Sequence, residues 1–136
     1  MIDKVEIQET ISRYHEGAST GDLEQLLATF LPDATWEVPA LDMVCRGHAE
    51  MRETMAAVLA PIEYLVQINA PAIITVDGDT ASARSLIREC AKFDGRPGLV
   101  DVVGRFDDEL RMTPDGWRFA RRTFTILGTH VSAASR

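Results

Sequence analysis

The sequence predicts an α+β fold in one domain over residues 1–136: three helices packed on a strongly curved, mixed but mostly antiparallel sheet. Three observations predict it. Helical spacing of apolar residues is confined to the part before Pro61. Long strand-like stretches then follow one another with no helix between them. The last two of these, from Gly104 to Ile126, alternate apolar and polar residues on either side of a Pro114-Asp115-Gly116 turn, the pattern of a long hairpin with one dry face. Helices segregated from antiparallel strands define the class. A curved sheet wrapped around helices can enclose a hollow, and a hollow is where small-molecule chemistry is sought.

The elements follow in order. Asp3 and Glu6 mark the start of a first helix, whose stripe is Val5, Ile7, Ile11, Tyr14 and Ala18 and which is expected to run to about Gly17. Ser19-Thr20-Gly21 breaks it. Asp22 and Gln25 resemble a capping box for a second helix, with Leu23, Leu26, Leu27 and Phe30 as its apolar side. Ala34–Val38 reads as a short strand that Met43–Arg46 can pair with. Gly47–Ala60, with Met51, Met55, Val58 and Leu59, reads as a third helix stopped by Pro61. Strands are then expected over Tyr64–Val76, Thr80–Phe93, Leu99–Met112 and Gly116–Gly128, joined by turns at Asp77-Gly78, Asp94–Gly98 and Asp115-Gly116. The end, Thr129–Arg136, is expected to fray.

Composition narrows the function classes. Among 136 residues, 46% are hydrophobic and 26% charged, which suits a globular core. The net charge of −7 disfavours nucleic acid and anionic membranes, because both need a concentrated positive surface. Cys45 and Cys90 fit no zinc spacing and form no CxxC pair; they read as thiols in a reducing compartment. With no secretory leader pattern in MIDKVEIQET and no membrane-length apolar run, a cytoplasmic location is expected.

Strand parity assigns faces, since side chains alternate. Val102, Gly104, Phe106, Asp108 and Leu110 share one face, expected to be interior. Arg105, Asp107, Glu109 and Arg111 share the other, expected to be wet. Ala81, Ala83, Ser85, Ile87 and Glu89 share a face. If it is interior, Glu89 points into the hollow, where a carboxylate is placed for proton transfer. On the last strand Arg118, Ala120, Arg122, Phe124 and Ile126 fall on one face. Trp36 is expected to join Val102, Phe106, Phe124 and Ile126 in lining the interior. Tyr14 follows the stripe of the first helix and can offer its hydroxyl to a ligand carbonyl. His15 is expected to face solvent.

Several short motifs, in this order and spacing, resemble the SnoaL-like branch of the nuclear transport factor 2-like superfamily. They are Ile11-Ser12-Arg13-Tyr14, Gly21-Asp22-Leu23, Phe30-Leu31-Pro32-Asp33-Ala34, Arg46-Gly47, Val76–Ala81 and Asp115–Phe119. The resemblance implies a cone-shaped, cystatin-like roll, a small apolar molecule in the cone and a homodimer. It also places Arg122 where catalytic relatives present a pocket arginine able to steady a carboxylate or developing oxyanion. The resemblance implies that dehydratases of this kind use an aspartate near the end of the first helix to support a histidine on the first long strand. Here Ser19 and Gln67 occupy those two positions, and neither can do the acid–base work of the pair.

Chemistry then has to rest on other groups. Glu89 is the first choice of base, with Asp108 second, Arg122 as clamp, and Tyr14, Gln67, Ser19 and Asn69 as hydrogen-bonding groups. The expected activity is that of a cofactor-independent, metal-free lyase or isomerase acting on an apolar cyclic compound. The alternatives are a non-catalytic binding protein that has lost the dyad, a structural subunit, or an epoxide hydrolase in which Glu89, Asp108 and Arg122 surround a water.

Overall fold

The computed structural model describes residues 2–132. Helix α1 spans Ile2–Thr20 and α2 spans Leu23–Ala28. Strand β1 covers Phe30–Val38 and β2 covers Met43–Arg46, with a short 3-10 turn at Pro39–Leu41 between them. Helix α3 covers Gly47–Leu59. The remaining strands are β3 (Ile62–Asn69), β4 (Ile73–Asp77), β5 (Thr80–Phe93), β6 (Val100–Thr113) and β7 (Gly116–Val131). The sheet order is β2-β1-β7-β6-β5-β3, with β4 also on β5. β1 runs parallel to β7, and every other pairing is antiparallel. This is the three-helix, curved mixed sheet that the sequence predicts.

Four differences from the sequence reading have physical causes. Helix α1 continues to Thr20, and Val5 lies outside its buried stripe at the surface. The single strand expected over Tyr64–Val76 is two: Pro71 has no N–H to give a ladder, and the neighbouring Ala72 N–H donates instead to Gln8 Oε1 at 2.9 Å. Both pieces still pair with β5, β4 along its first half and β3 along its second. Strand β7 does not fray at Thr129; Thr129, His130 and Val131 pair with β6, and the Ser132 N–H donates to the Leu99 carbonyl at 2.9 Å. Residues 133–136 of the expected frayed tail lie outside the described residues.

The fourth difference is a change of phase within β7. Leu110 pairs with Phe119 and Glu109 with Arg121, so Ala120 is a surplus residue, a β-bulge. Trp117 and Phe119 are therefore buried on the same side as Arg122, and Arg118 and Ala120 are not members of that face. A second shift makes Leu127 surplus between Ile126 and Gly128. Bulges bend and twist the strand that carries them, which curves the sheet around α1.

Helix α1 lies in the concavity and is pinned at several points. Trp117 Nε1 donates to Asp3 Oδ1 at 3.1 Å, and the Thr10 hydroxyl donates to the Trp117 carbonyl at 3.0 Å. At the cap of α2, the Gln25 N–H donates to Asp22 Oδ1 at 3.0 Å. The Gln25 side chain turns to the Arg13 carbonyl and Glu16 rather than closing the capping box. The core is built from Ile7, Ile11, Leu26, Phe30, Leu110 and Phe119, with Met51 from α3. It fills one end of the roll. The other end stays hollow.

Candidate functional site

The hollow measures about 280 Å³ and lies between the inner sheet face, α1 and α3. Its sheet wall is Ile87, Val102, Phe106, Phe124 and Ile126; Met55 and Val58 of α3 and Leu41 face them. Gly104 shapes this wall. A Cβ there would sit 2.3 Å from the Phe124 ring and 2.8 Å from the Thr125 carbonyl, so only a hydrogen leaves Phe124 room to lie over β6. Four polar side chains reach the wall: Tyr14, Trp36, Gln67 and Glu89. Among the described residues, Glu89 is its one charged member.

Behind the wall runs a chain of hydrogen bonds whose direction can be worked out. Arg122 is wholly buried, donates from Nε to Asp108 Oδ1 at 2.9 Å, and lies against the rings of Phe106 (3.8 Å), Tyr14 (4.2 Å) and Phe119 (4.5 Å). Its Nη2 is 3.3 Å from His15 Nε2. A guanidinium only donates, so Nε2 is the accepting nitrogen and the proton of the neutral imidazole is on Nδ1. Nδ1–H then donates to Gln67 Oε1 at 2.7 Å, which turns the Gln67 amide N–H₂ outward to Glu89 Oε1 at 2.8 Å. The Ser19 hydroxyl accepts from the Gln67 backbone N–H at 2.9 Å and fixes the strand at this point. From Arg122 through His15 and Gln67 each donor points toward Glu89, and the last bond occupies one of its two carboxylate oxygens.

Ionisation agrees with that direction. Burial first, and then the Arg122 charge, push His15 down to about 3 against the pull of the Gln67 hydrogen bond, so it stays neutral. Burial pushes Asp108 up to about 6, with Arg122 acting the other way, so it is ionised at neutral pH and pairs the guanidinium. Burial pushes Tyr14 up to about 12; Arg122 opposes this, Glu89 adds to it, and Trp36 opposes it slightly. Tyr14 is therefore a protonated donor beside a carboxylate. The Trp36 N–H points at the Tyr14 hydroxyl oxygen closely enough to favour its ionised form.

The structure thus gathers Glu89, Tyr14, Gln67, Trp36, Val102, Phe106, Phe124 and Ile126 around one space. It leaves out four of the residues expected there. Arg122 and Asp108 are buried and absent from the lining, so Arg122 reaches His15 and not the hollow, and the three-residue water site of an epoxide hydrolase does not assemble. Ser19 supports Gln67 from behind. Asn69 lies away from the hollow and donates to the Ala70 carbonyl. His15 is the residue sequence reasoning misplaced: it is buried, not solvent-facing. The available signal was its spacing, since Ile7, Ile11 and His15 follow one another at intervals of four. Among the described residues, no cluster of three or more His, Cys, Asp or Glu side chains is placed to hold a metal.

A roll of this architecture around a lined hollow is the cystatin-like fold of nuclear transport factor 2-like proteins. The SnoaL-like domain family matches residues 1–123, and the chain belongs to that family. An uncharacterized protein of Mycobacterium tuberculosis is 30% identical over 124 residues, covering 90% of this chain and 84% of its own length. A crystal structure from Novosphingobium aromaticivorans that bears the name aromatic ring hydroxylase is 27% identical, with a TM-score of 0.88 over 96% of this chain and 93% of its own. A hexachlorocyclohexane dehydrochlorinase superposes with a TM-score of 0.87 over 97% of this chain and 90% of its own. At 13% identity that likeness shows the shared fold alone.

Proposed function

We propose that the protein is a cofactor-independent isomerase or lyase that moves a proton on carbon next to a carbonyl group, with Glu89 as the base. The observation that carries this reading is the half-satisfied carboxylate: Glu89 Oε1 is held by Gln67, while Oε2 has no side-chain partner among the described residues and Glu89 lines an apolar space. Oε2 takes a proton from the carbon; the C–H electron pair forms a carbon–carbon double bond, and the carbonyl π pair moves to oxygen. Tyr14, a protonated donor at the same wall, stabilises that oxygen. Returning the proton to a different carbon completes an isomerisation. Expelling a hydroxyl group on the next carbon, which leaves as water with the proton from Glu89, completes a dehydration. Arg122, His15 and Gln67 position the carboxylate and do not touch the ligand.

The test is exchange of the α-protons of 2-tetralone in D₂O, followed by NMR. The wild-type protein is expected to accelerate exchange, and Glu89→Gln to slow it by about 100-fold or more. A Glu89→Gln protein as fast as wild type would overturn the assignment. A second reading, a non-catalytic binding protein, has its own support in Gln67, an amide with no basicity where relatives of the resembled kind carry a histidine. Native mass spectrometry separates the two: an unchanged compound retained by both the wild-type and Glu89→Gln proteins supports binding alone. We also propose a homodimer through the outer sheet face, where Ile68, Leu86 and Leu127 are exposed at 64%, 56% and 60%. Leu86→Glu is expected to give monomers in sedimentation.

A further inference from the structure

Gly104 stands inside β6, between Val102 and Phe106 on the inner face. Glycine weakens a strand, so its place there calls for a reason. Conformation is not the reason: six other glycines have a positive φ, and Gly104 does not. Space is. A Cβ would come within 2.3 Å of Phe124 Cε1 and 2.4 Å of its Cζ, so the far edge of the ring rests where a side chain would begin. An aromatic ring reaching across from the neighbouring strand stabilises a sheet at such a glycine.

Phe124 is therefore laid back as far as its surroundings allow. Below it is the β6 backbone. Beside it is Phe106, with ring centroids 4.7 Å apart and planes tilted by 32°. Phe106 has no freedom to make way: the Arg122 guanidinium lies 3.8 Å from its centroid, and Tyr14 and His15 meet it edge-on at 5.8 and 5.4 Å. The direction left is the hollow, whose wall Phe124 forms with Val102 and Ile126. Carbon atoms in contact sit about 3.5–4.0 Å apart, so a methyl group at position 104 would drive the ring edge into that space by more than about 1 Å. The hollow measures about 280 Å³, against roughly 150 Å³ for an apolar cavity that takes benzene. That is room for two fused six-membered rings and not for three.

We infer that Gly104 and Phe124 together determine how many fused rings a ligand of the hollow carries. Gly104 holds the space open to two rings by letting Phe124 lie back, and Phe124 closes it to a third. They are specificity-determining residues and take no part in the chemistry. The inference rests on the proton-transfer reading only in using the same hollow.

Calorimetric titrations of the full chain compare benzyl alcohol, 2-naphthalenemethanol and 2-anthracenemethanol. All three carry the same uncharged hydroxymethyl group, so ring count is what differs. The wild-type protein is expected to bind the two-ring compound about tenfold or more tighter than either of the others. Phe124→Ala removes the stop and should bring the three-ring compound to at least the affinity of the two-ring one. Gly104→Ala should weaken the two-ring compound about tenfold and leave benzyl alcohol within about threefold of wild type. Gly104→Ala combined with Phe124→Ala should regain the two-ring compound. That pair separates a filled hollow from a damaged strand, because the 2.8 Å approach of a Cβ to the Thr125 carbonyl is common to both Gly104 variants. NMR cross-peaks from 2-naphthalenemethanol to the Phe124 ring give a wild-type readout that needs no variant. Equal wild-type affinity for two and three rings, an unchanged ring-count profile in Phe124→Ala, a combined variant as weak as a folded Gly104→Ala, or absent Phe124 cross-peaks at saturation would each overturn the inference. Glu89→Gln should keep the wild-type profile. Loss of 2-tetralone exchange with that profile intact would remove the catalytic reading and leave the size assignment standing.

Discussion

Asp108 and Glu89 point to the same inner face of neighbouring strands, six residues apart in register, or about 20 Å along the sheet. At the closed end of the roll Asp108 is fully buried and takes two hydrogen bonds from Arg122. At the hollow end Glu89 is half-buried, with one oxygen held and the other open. The same functional group becomes a structural anchor in one place and a candidate base in the other. The difference lies in how many of its lone pairs the protein has already used. The chain Arg122–His15–Gln67 joins the two ends, so the anchored carboxylate helps to orient the open one.

The sharpest way to break this contrast is at the closed end. Arg122→Leu leaves Asp108 buried without a counter-charge and is expected to cost about 3–5 kcal/mol in urea unfolding. Joint replacement of Arg122 and Asp108 by leucine should recover much of that. At the hollow end the signs reverse: Glu89→Gln should change stability by less than about 1 kcal/mol, since the amide can keep one hydrogen bond to Gln67. Its effect on 2-tetralone exchange should nonetheless be the largest of any single substitution at the wall.

The link between the ends is read through pH. His15 sits at about 3 in the folded chain against an ordinary 6.5. Its contribution to stability is therefore full above pH 6.5 and is lost as pH falls toward 3, reaching a loss of about 2 kcal/mol at pH 5. Asp108, raised to about 6 from 3.8, acts in the opposite sense and gains as pH falls through 6. Urea titrations at about pH 7.5 and pH 5 on wild type and His15→Gln separate the two. The wild type should lose about 2 kcal/mol more than the variant over that interval; equal slopes would mean that His15 is not held neutral. The smallest effect belongs to Asn69→Ala. It should shift stability by no more than about 0.5 kcal/mol and leave 2-tetralone binding unchanged, because Asn69 stands apart from the hollow.

The sequence made the roll legible because its strands are long and alternate cleanly. Ala81 to Glu89 and Val102 to Leu110 keep one phase throughout, and their inner faces followed directly. It failed where phase changes without a local signature. The surplus Ala120 lies inside an ordinary run, Phe119-Ala120-Arg121-Arg122; only the mismatch between Trp117/Phe119 and Phe124/Ile126 betrays it. Pro71 did carry a signal, and a strand reading that ran through it was too long. His15 was misplaced because a helix half-wrapped by a sheet buries a broader face than the single stripe that Tyr14 suggested. Nothing in a linear sequence says that Arg122 would spend its charge on Asp108, fourteen residues away, and reach the hollow only by proxy.

The two bulges of β7 have a consequence for how this scaffold can change. Curvature comes from surplus backbone, one extra residue at Ala120 and another at Leu127, so the curve of the chamber is written into the frame and not into its upholstery. Val102, Ile87 or Ile126 can be exchanged for larger or smaller aliphatics, admitting different guests, while the arch stays where it is. A chain built this way can drift from one compound to another by redecorating.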